Sequence, residues 1–369
     1  MSTFSLDEDQ RQIKDAMGKF AAEEMRPIAR DCDEELNIPD DFLDKSWELG
    51  IVTNVIPEKY GGYEFGRSVL NNTILTEELA YGDLSLAMAA LAPNLFVLPV
   101  MEMGTDEQKE RFLPEFCGLS AKVGSLAILE YSIAFDVSEI KTRATRSGNQ
   151  YILNGQKCLV PMADKAEEFL VVARASGAAA GTGIDAFIVE KTMPGIEVSE
   201  KEKHMGLNAL STHTLIFEDC KVSADNRLGG EGGFDYNRLV GCCRIALAAA
   251  AVGLAGAVKD YCVDYARERI AFGQPIATRQ SIAFMLADMA IEIDGARLLN
   301  YKAAWNADQN YDLVRIAYLS KKYASKWAFT IADNGVSILG GHGLIREHPV
   351  EMWFRNARAF SMLEGMIIV

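Results

Sequence analysis

The amino-acid sequence predicts a mostly α-helical protein with a central antiparallel β domain. Residues 1–118 show apolar side chains at three- and four-residue spacing, residues 119–230 show short β-rich stretches, and residues 231–369 return to long helical patterns. The spacing of apolar residues distinguishes helices from strands, because side chains return to the same face about every 3.6 residues in a helix and every second residue in a strand. We therefore expect an N-terminal helical domain, a β domain and a C-terminal four-helix bundle with these bounds.

The expected β domain consists of short segments rich in β-branched and aromatic residues. Polar or glycine-containing turns separate these segments, which is typical of antiparallel strands. In chain order the predicted strands are YILNGQK, EFLVVARA, DAFIVEK, IEVSEK and THTLIFEDCKV.

The expected bundle is built from long helices with short connections. Three of them are predicted at about 235–269, 279–307 and 312–338, with breaks at FGQPI and NADQNYD. The stretch 242–258 is the most hydrophobic of the chain, but it contains Arg244 and is rich in Ala and Gly. We expect a buried helix packed closely on its neighbours rather than a membrane span.

Charge and cysteine usage exclude several classes of function. The net charge of −15 argues against nucleic acid or an anionic membrane as a primary partner. Seven scattered cysteines without a CxxC pair, and four histidines without ligand spacing, predict neither a disulfide framework nor a metal site. The acidic, polar start MSTFSLDEDQ does not resemble a targeting segment, so a cytoplasmic location is expected.

Several stretches resemble one family, in family order and over essentially the whole chain. RERIAFGQPI (267–276) resembles the R-x-x-F-G-x-P-I motif of acyl-CoA dehydrogenases, and the helix that follows it is similar to theirs. SILGGHGLIREHPVEMWFRNAR resembles their glycine-rich turn and the segment that precedes the catalytic glutamate. The resemblance implies FAD-dependent α,β-dehydrogenation of an acyl-CoA or acyl-carrier thioester, in which a carboxylate removes the α proton and the flavin accepts the β hydrogen as hydride.

The resemblance implies that Glu364 is the base, because Glu364 and Gly365 match the family's E-G-T. The sequence places this acid in the apolar run FSMLEGMIIV (360–369), and an apolar setting favours a carboxylate as a base once substrate excludes water. Some relatives carry the base on the first bundle helix, where Asn237 stands here, and an amide cannot take up a proton at neutral pH. Arg238 matches an arginine beside the substrate.

This sequence keeps the family's residues on the nucleotide side of the flavin site, where the nucleotide half of FAD binds. Arg269, Phe272 and Gln280 match positions that contact the FAD of a neighbouring subunit, and an arginine suits a pyrophosphate because of its planar donor fork. Gly340 and Gly341 match the turn that lets the backbone approach the adenine half. The resemblance therefore implies a dimer or tetramer.

The ring side of the flavin site departs from the family. Leu129, Phe135, Pro161 and Met366 stand where the family has hydroxyl-bearing residues, and Leu159 stands where it has an aromatic residue. A buried polar group without a partner costs about 1–3 kcal/mol, so these changes predict weaker binding of the flavin ring. Family members also continue beyond the point where MIIV ends this sequence.

Three functions remain open at this stage. The first is an acyl-CoA dehydrogenase with FAD and Glu364, for which the resemblance implies electron-transfer flavoprotein as the acceptor. The second is one subunit of a heteromeric dehydrogenase, with the FAD site completed by an unlike homologous chain. The third is a flavin-free thioester-binding protein on the same fold.

Overall fold

The computed structural model confirms the predicted order of a helical, a β and a second helical region. It describes residues 5–63, 66–132, 136, 139–175 and 183–369. The helices are α1 (Glu8–Phe20), α2 (Ala29–Glu35), α3 (Asp40–Glu48), α4 (Val69–Gly82), α5 (Leu84–Leu91), α6 (Asn94–Met103), α7 (Asp106–Phe112), α8 (Tyr236–Glu268), α9 (Gln280–Asp308), α10 (Val314–Leu339) and α11 (Val350–Ala359). The strands are β1 (Gly124–Ala127), β2 (Arg143–Ser147), β3 (Gln150–Pro161), β4 (Glu168–Ala175), β5 (Ile184–Glu190), β6 (Ile196–Val198), β7 (Thr212–Ser223), β8 (Ile270–Ala271) and β9 (Gln274–Pro275).

The β domain is one curled sheet of seven strands, and it is mixed rather than purely antiparallel. β1 and β2 both run parallel to β4, whereas the pairs β2–β3, β3–β7, β6–β7 and β4–β5 are antiparallel. The sequence did not reveal β1 or β2, because GSLA and RATRS have little β-branched or aromatic character. These two strands are the ones that add the parallel pairings.

The long helix α8 is the centre of the C-terminal bundle. Asp235 caps its start by accepting a hydrogen bond from the Arg238 backbone N–H at 3.0 Å. α8 packs against α10, α9 and also α4 of the N-terminal region. By length and composition α8 could cross a membrane, but 94% of its apolar window is buried inside the protein. It is therefore a core helix that joins the two helical regions.

Small residues allow α8 and α4 to approach each other closely. A Cβ atom added at Gly253 would lie 2.1 Å from the backbone oxygen of Glu77. A Cβ added at Gly256, one turn later, would meet only the ring of Tyr81 at 3.4 Å, an ordinary contact. The close approach at Gly253 explains why the sequence of α8 is rich in small residues.

We predict that Gly253→Ala destabilises the protein and that Gly256→Ala does not. Both changes gain the same helix propensity, about 1 kcal/mol, but only the first forces two backbones apart, which costs about 1–3 kcal/mol. Urea unfolding of both variants measures the difference. Equal stability of the two variants would contradict the close α8–α4 contact.

Candidate active site

The turn that carries Glu364 follows α11 and packs against the end of β1. Gly365 has φ +66°, and a Cβ added there would lie 2.2 Å from Cγ2 of Ile128. Only glycine meets both conditions, since other residues avoid this left-handed backbone region. The neighbouring Leu363 and Met366 are buried. The glycine beside the acid is therefore a requirement of the fold that fixes the position of Glu364.

The Glu364 carboxylate is held by two cations. Lys321 Nζ of α10 lies 2.8 Å from Oε1 and also donates to the backbone oxygen of Leu363. Arg244 Nε of α8 lies 3.3 Å from Oε1 and 3.4 Å from Oε2. All three charged side chains are largely buried. The apolar setting expected from the sequence is thus wrong, because residues far away in sequence bring positive charge to the acid.

These contacts pair a buried acid with two buried cations. Buried charges require partners of opposite charge. Burial lowers the pKa of the Lys321 ammonium, and the attraction of Glu364 opposes that shift. The three side chains therefore form one buried ion cluster.

A cavity of about 530 Å³ lies next to this ion cluster, between the β domain and the bundle. Arg244 and Tyr236 line it from α8, and Tyr318 lines it from α10. The Arg244 guanidinium lies 5.4 Å from the centre of the Tyr318 ring. Asn237, predicted to face the substrate, also lines the cavity. We call this the substrate-side cavity.

Arg238 does not approach Glu364. Its Nε donates to Glu102 Oε2 at 2.9 Å, and its Nη1 donates to the backbone oxygen of Ala307 at 3.2 Å. It also lines a separate small polar cavity of about 260 Å³. Arg244 is the α8 arginine that the structure brings to Glu364.

A second cavity, of about 360 Å³, borders the turn that carries Glu364. Leu159 and Met366, two of the predicted ring-side residues, line it together with Leu363. Leu159 sits in an irregularity of β3 between Lys157 and Val160 and has φ +54°. Such bulges redirect side chains, and here Leu159 lines the cavity. We call this the ring-side cavity.

Leu129 and Pro161 lie in the core and are absent from the described lining of the ring-side cavity. The Leu129 backbone oxygen accepts from Cys158 N at 3.0 Å, and that of Pro161 accepts from Ser125 Oγ at 2.7 Å. Phe135 lies outside the described residues. The apolar residues at these positions therefore suit a packed strand end.

Sequence reasoning missed three polar residues beside the ring-side cavity. His204 and Thr212 line it, with 2.6 Å between His204 Nε2 and Thr212 Oγ1. Thr212 also donates to Glu202 at 2.9 Å, and Glu202 accepts from the Leu159 backbone N–H at 3.2 Å. Burial lowers the pKa of His204. In the sequence, Thr212 starts the predicted strand THTLIFEDCKV, whereas Glu202 and His204 lie between two predicted strands and carried no signal.

The predicted nucleotide-side residues lie on the connection between α8 and α9, away from both cavities. Phe272 is 95% exposed at the tip of the β8–β9 hairpin, with the Arg279 guanidinium 5.8 Å from its ring centre. Arg269 and Gln280 are exposed as well. An exposed aromatic beside exposed polar side chains suits contact with a second molecule.

Gly340 and Gly341 leave open space on the surface after α10. A Cβ added at either position would meet no described atom within 4 Å. Gly340 has φ +59° and ψ −128°, a conformation that glycine tolerates. Packing within this chain does not explain Gly341, which is consistent with an approach from outside.

The ring-side cavity and the connection between α8 and α9 together carry residues that fit FAD. The walls at Leu159 and Met366 suit the apolar faces of a flavin ring. Thr212 and His204 add polar groups to the wall, but the Thr212 hydroxyl already donates to Glu202 and does not replace the missing donors. Arg269 offers a donor fork for a pyrophosphate.

Comparison with known proteins covers almost the whole chain. Residues 7–119, 125–220 and 237–367 match the N-terminal, middle and C-terminal domains of acyl-CoA dehydrogenases. Cyclohex-1-ene-1-carbonyl-CoA dehydrogenase of Geobacter metallireducens is 35% identical, over 98% of this chain and 95% of the relative. Rat mitochondrial short-chain specific acyl-CoA dehydrogenase is 33% identical, over 98% and 87%. The solved butyryl-CoA dehydrogenase of Megasphaera elsdenii has a TM-score of 0.89 at 33% identity, over 98% and 95%.

We predict that Gly365→Ala destabilises the protein more than Gly148→Ala. Gly148 has a similar φ of +64° but open space around it, so its substitution carries the backbone cost alone, about 1 kcal/mol. Gly365→Ala adds the clash with Ile128 and displaces the turn of Glu364. Thermal unfolding compares the two variants. Equal losses would contradict the packing of this turn on β1.

Proposed function

Because the chain belongs to the acyl-CoA dehydrogenase family, whose members are FAD-dependent oxidoreductases, we propose that it oxidises an acyl thioester with Glu364 as the base. One observation carries the proposal: neighbours of Glu364 line both cavities. Arg244, which contacts Glu364, lines the substrate-side cavity, and Leu363 and Met366, which flank Glu364, line the ring-side cavity. A substrate in the first cavity and a flavin in the second would both border groups that contact or flank Glu364.

In this proposal Glu364 takes the proton from the α carbon of the acyl group. Lys321 and Arg244 pair with the carboxylate and hold it in place, and Arg244 also lines the substrate-side cavity. A positioned carboxylate within reach of the α carbon meets the requirements of a general base.

The substrate-side cavity would hold the thioester. Tyr236 and Arg244 present polar groups near Glu364, and burial raises the pKa of Tyr236, so its phenol remains a donor at neutral pH. Arg315 lies at the same cavity and suits an anionic group such as a CoA phosphate. A phosphopantetheine carried by a protein presents the same thioester, so both carriers fall within the proposal.

Leu159, Met366, Thr212 and His204 would hold the flavin ring, and Arg269, Phe272 and Gln280 the nucleotide of a neighbouring subunit. When bound, FAD supplies the acceptor for the β hydrogen. The proposed partner for its reoxidation is electron-transfer flavoprotein, on the strength of the family resemblance.

An apolar stripe on α9 supports assembly into a dimer or tetramer. Its members are exposed and recur at seven-residue spacing: Phe284, Ile291, Leu298 and Trp305. A seven-residue period keeps side chains on one seam and is typical of helices that pack against another helix. We propose that a second subunit covers this stripe.

A second candidate is a heteromeric enzyme in which the second subunit is an unlike homologue. Two observations favour this candidate. The nucleotide-side residues are exposed and available to another subunit, whereas Leu129 and Pro161 on the ring side are buried and lack side-chain donors. In that arrangement this chain gives its nucleotide-side residues to a site on the other subunit.

We predict that Glu364→Gln lowers the rate of acyl-CoA oxidation by about 10²- to 10⁴-fold, since an amide cannot take up the α proton. FAD content and ligand affinity should stay near those of the parent. Steady-state turnover, the flavin spectrum and ligand titration measure these quantities. Glu347→Gln, at an exposed position, is the control. Unchanged turnover in Glu364→Gln would remove this residue from the mechanism.

We predict that Arg269→Ala weakens FAD retention by tenfold or more, because a charge-assisted hydrogen bond contributes about 1.5–3 kcal/mol. FAD released on denaturation, counted per chain after dialysis, measures retention. The exposed neighbour Arg267→Ala is the control. Full retention in Arg269→Ala would mean that this arginine does not hold the nucleotide. A colourless parent protein that gains FAD only with a homologous partner would favour the heteromeric candidate.

A further inference from the structure

We propose that Lys321 is a positioning residue for the Glu364 base, fixing one carboxylate oxygen and leaving the other for the α proton. The inference rests on the proposed function of Glu364. Lys321 Nζ bonds Oε1 at 2.8 Å, whereas Oε2 has its described contact with Arg244, at 3.4 Å. Arg244 Nε lies almost equally far from the two oxygens, 3.3 Å from Oε1 and 3.4 Å from Oε2, so the Lys321 bond is the described contact that distinguishes them.

Lys321 holds the turn at two points. Its ammonium donates to the backbone oxygen of Leu363 as well as to the Glu364 side chain. A lysine ammonium has three donors, so both bonds form at once. One side chain thus fixes the backbone that precedes the base and the carboxylate itself.

The burial of Lys321 requires an explanation that packing alone does not give. The residue is 8% exposed, on a helix that packs along α8. Replacing a buried ion pair by apolar residues of similar volume often leaves the stability of a protein unchanged or increases it. The contacts of Lys321 supply the reason, since both of its described hydrogen bonds end on the turn of Glu364.

Several titratable side chains of the described residues lie near Glu364. Tyr236, Cys243 and Arg244 approach it from α8, and Lys321 approaches it from α10. Leu126 and Ile128, at the packed end of β1, lie against the adjacent Gly365 and are apolar. Burial raises the pKa values of Tyr236 and Cys243, so both stay neutral near pH 7. Arg244 and Lys321 are then the cations that act on Glu364.

The test measures exchange of the α proton apart from oxidation. The FAD-loaded protein is incubated in D₂O with an acyl-CoA that has sulfur in place of the β methylene, and deuterium uptake is followed by mass spectrometry near neutral pH. Lys321→Gln has a shorter, uncharged side chain that no longer ties Leu363 and Glu364 together. We expect exchange to slow by about 10- to 100-fold in this variant, because a misplaced base loses its alignment with the α proton, while the Kd of the acyl-CoA stays near that of the parent.

Two variants serve as controls. Lys321→Arg keeps the charge and the donors and should restore an exchange rate close to that of the parent. Lys322→Gln removes an exposed lysine from the next position of α10 and should leave the exchange rate unchanged. Exchange at the parent rate in Lys321→Gln, with or without a loss of thermal stability, would overturn the positioning role.

The outcome for Lys321 is separable from that for Glu364. Exchange at the parent rate in Glu364→Gln would overturn the proposed base, and with it this inference. If Lys321→Gln does not fold, thermal unfolding of Glu364→Gln tests the Lys321–Glu364 contact instead. In Glu364→Gln the Lys321 ammonium stays buried next to the Arg244 guanidinium but has lost its carboxylate partner. The unfolding midpoint of this variant should fall, and Lys321→Met in the same chain should restore it. Absence of such coupling would contradict the proposal.

Discussion

The contact of one carboxylate with two helices is the constraint on which the site depends. Glu364 joins α8 through Arg244 and α10 through Lys321, and the adjacent Gly365 sits against the end of β1. Three separate parts of the chain therefore meet at one short turn. Leu363 and Met366 of this turn line the ring-side cavity, and Arg244, which contacts Glu364, lines the substrate-side cavity, so the turn is connected to both.

Local periodicity was enough to predict the long helices but not the partners of Glu364. The predicted segments 235–269 and 312–338 agree within two residues with α8 and α10, because an unbroken 3.6-residue pattern is a local property. Arg244 and Lys321 lie 120 and 43 residues from Glu364, a separation that only the tertiary fold brings together. The matched motif led instead to Arg238, whose side chain binds Glu102.

A signal for these partners was nevertheless present in the sequence. Arg244 interrupts the most apolar stretch of the chain, and Lys321 stands on a face of α10 that is otherwise apolar or small. A charge predicted to be buried requires an opposite charge nearby. An acid in an apolar run and cations in apolar helices are therefore complementary observations, and pairing them would have anticipated the ion cluster.

The two ion contacts of Glu364 have unequal lengths. Lys321 lies 2.8 Å from Glu364, a normal hydrogen-bond distance, whereas the Arg244 contacts at 3.3 and 3.4 Å are at the long limit. Arg244 also borders the substrate-side cavity, so this cation lies between the carboxylate and the space proposed for the thioester. The two cations therefore differ in what they connect: Lys321 ties the carboxylate to the backbone of its own turn, whereas Arg244 links it to the cavity.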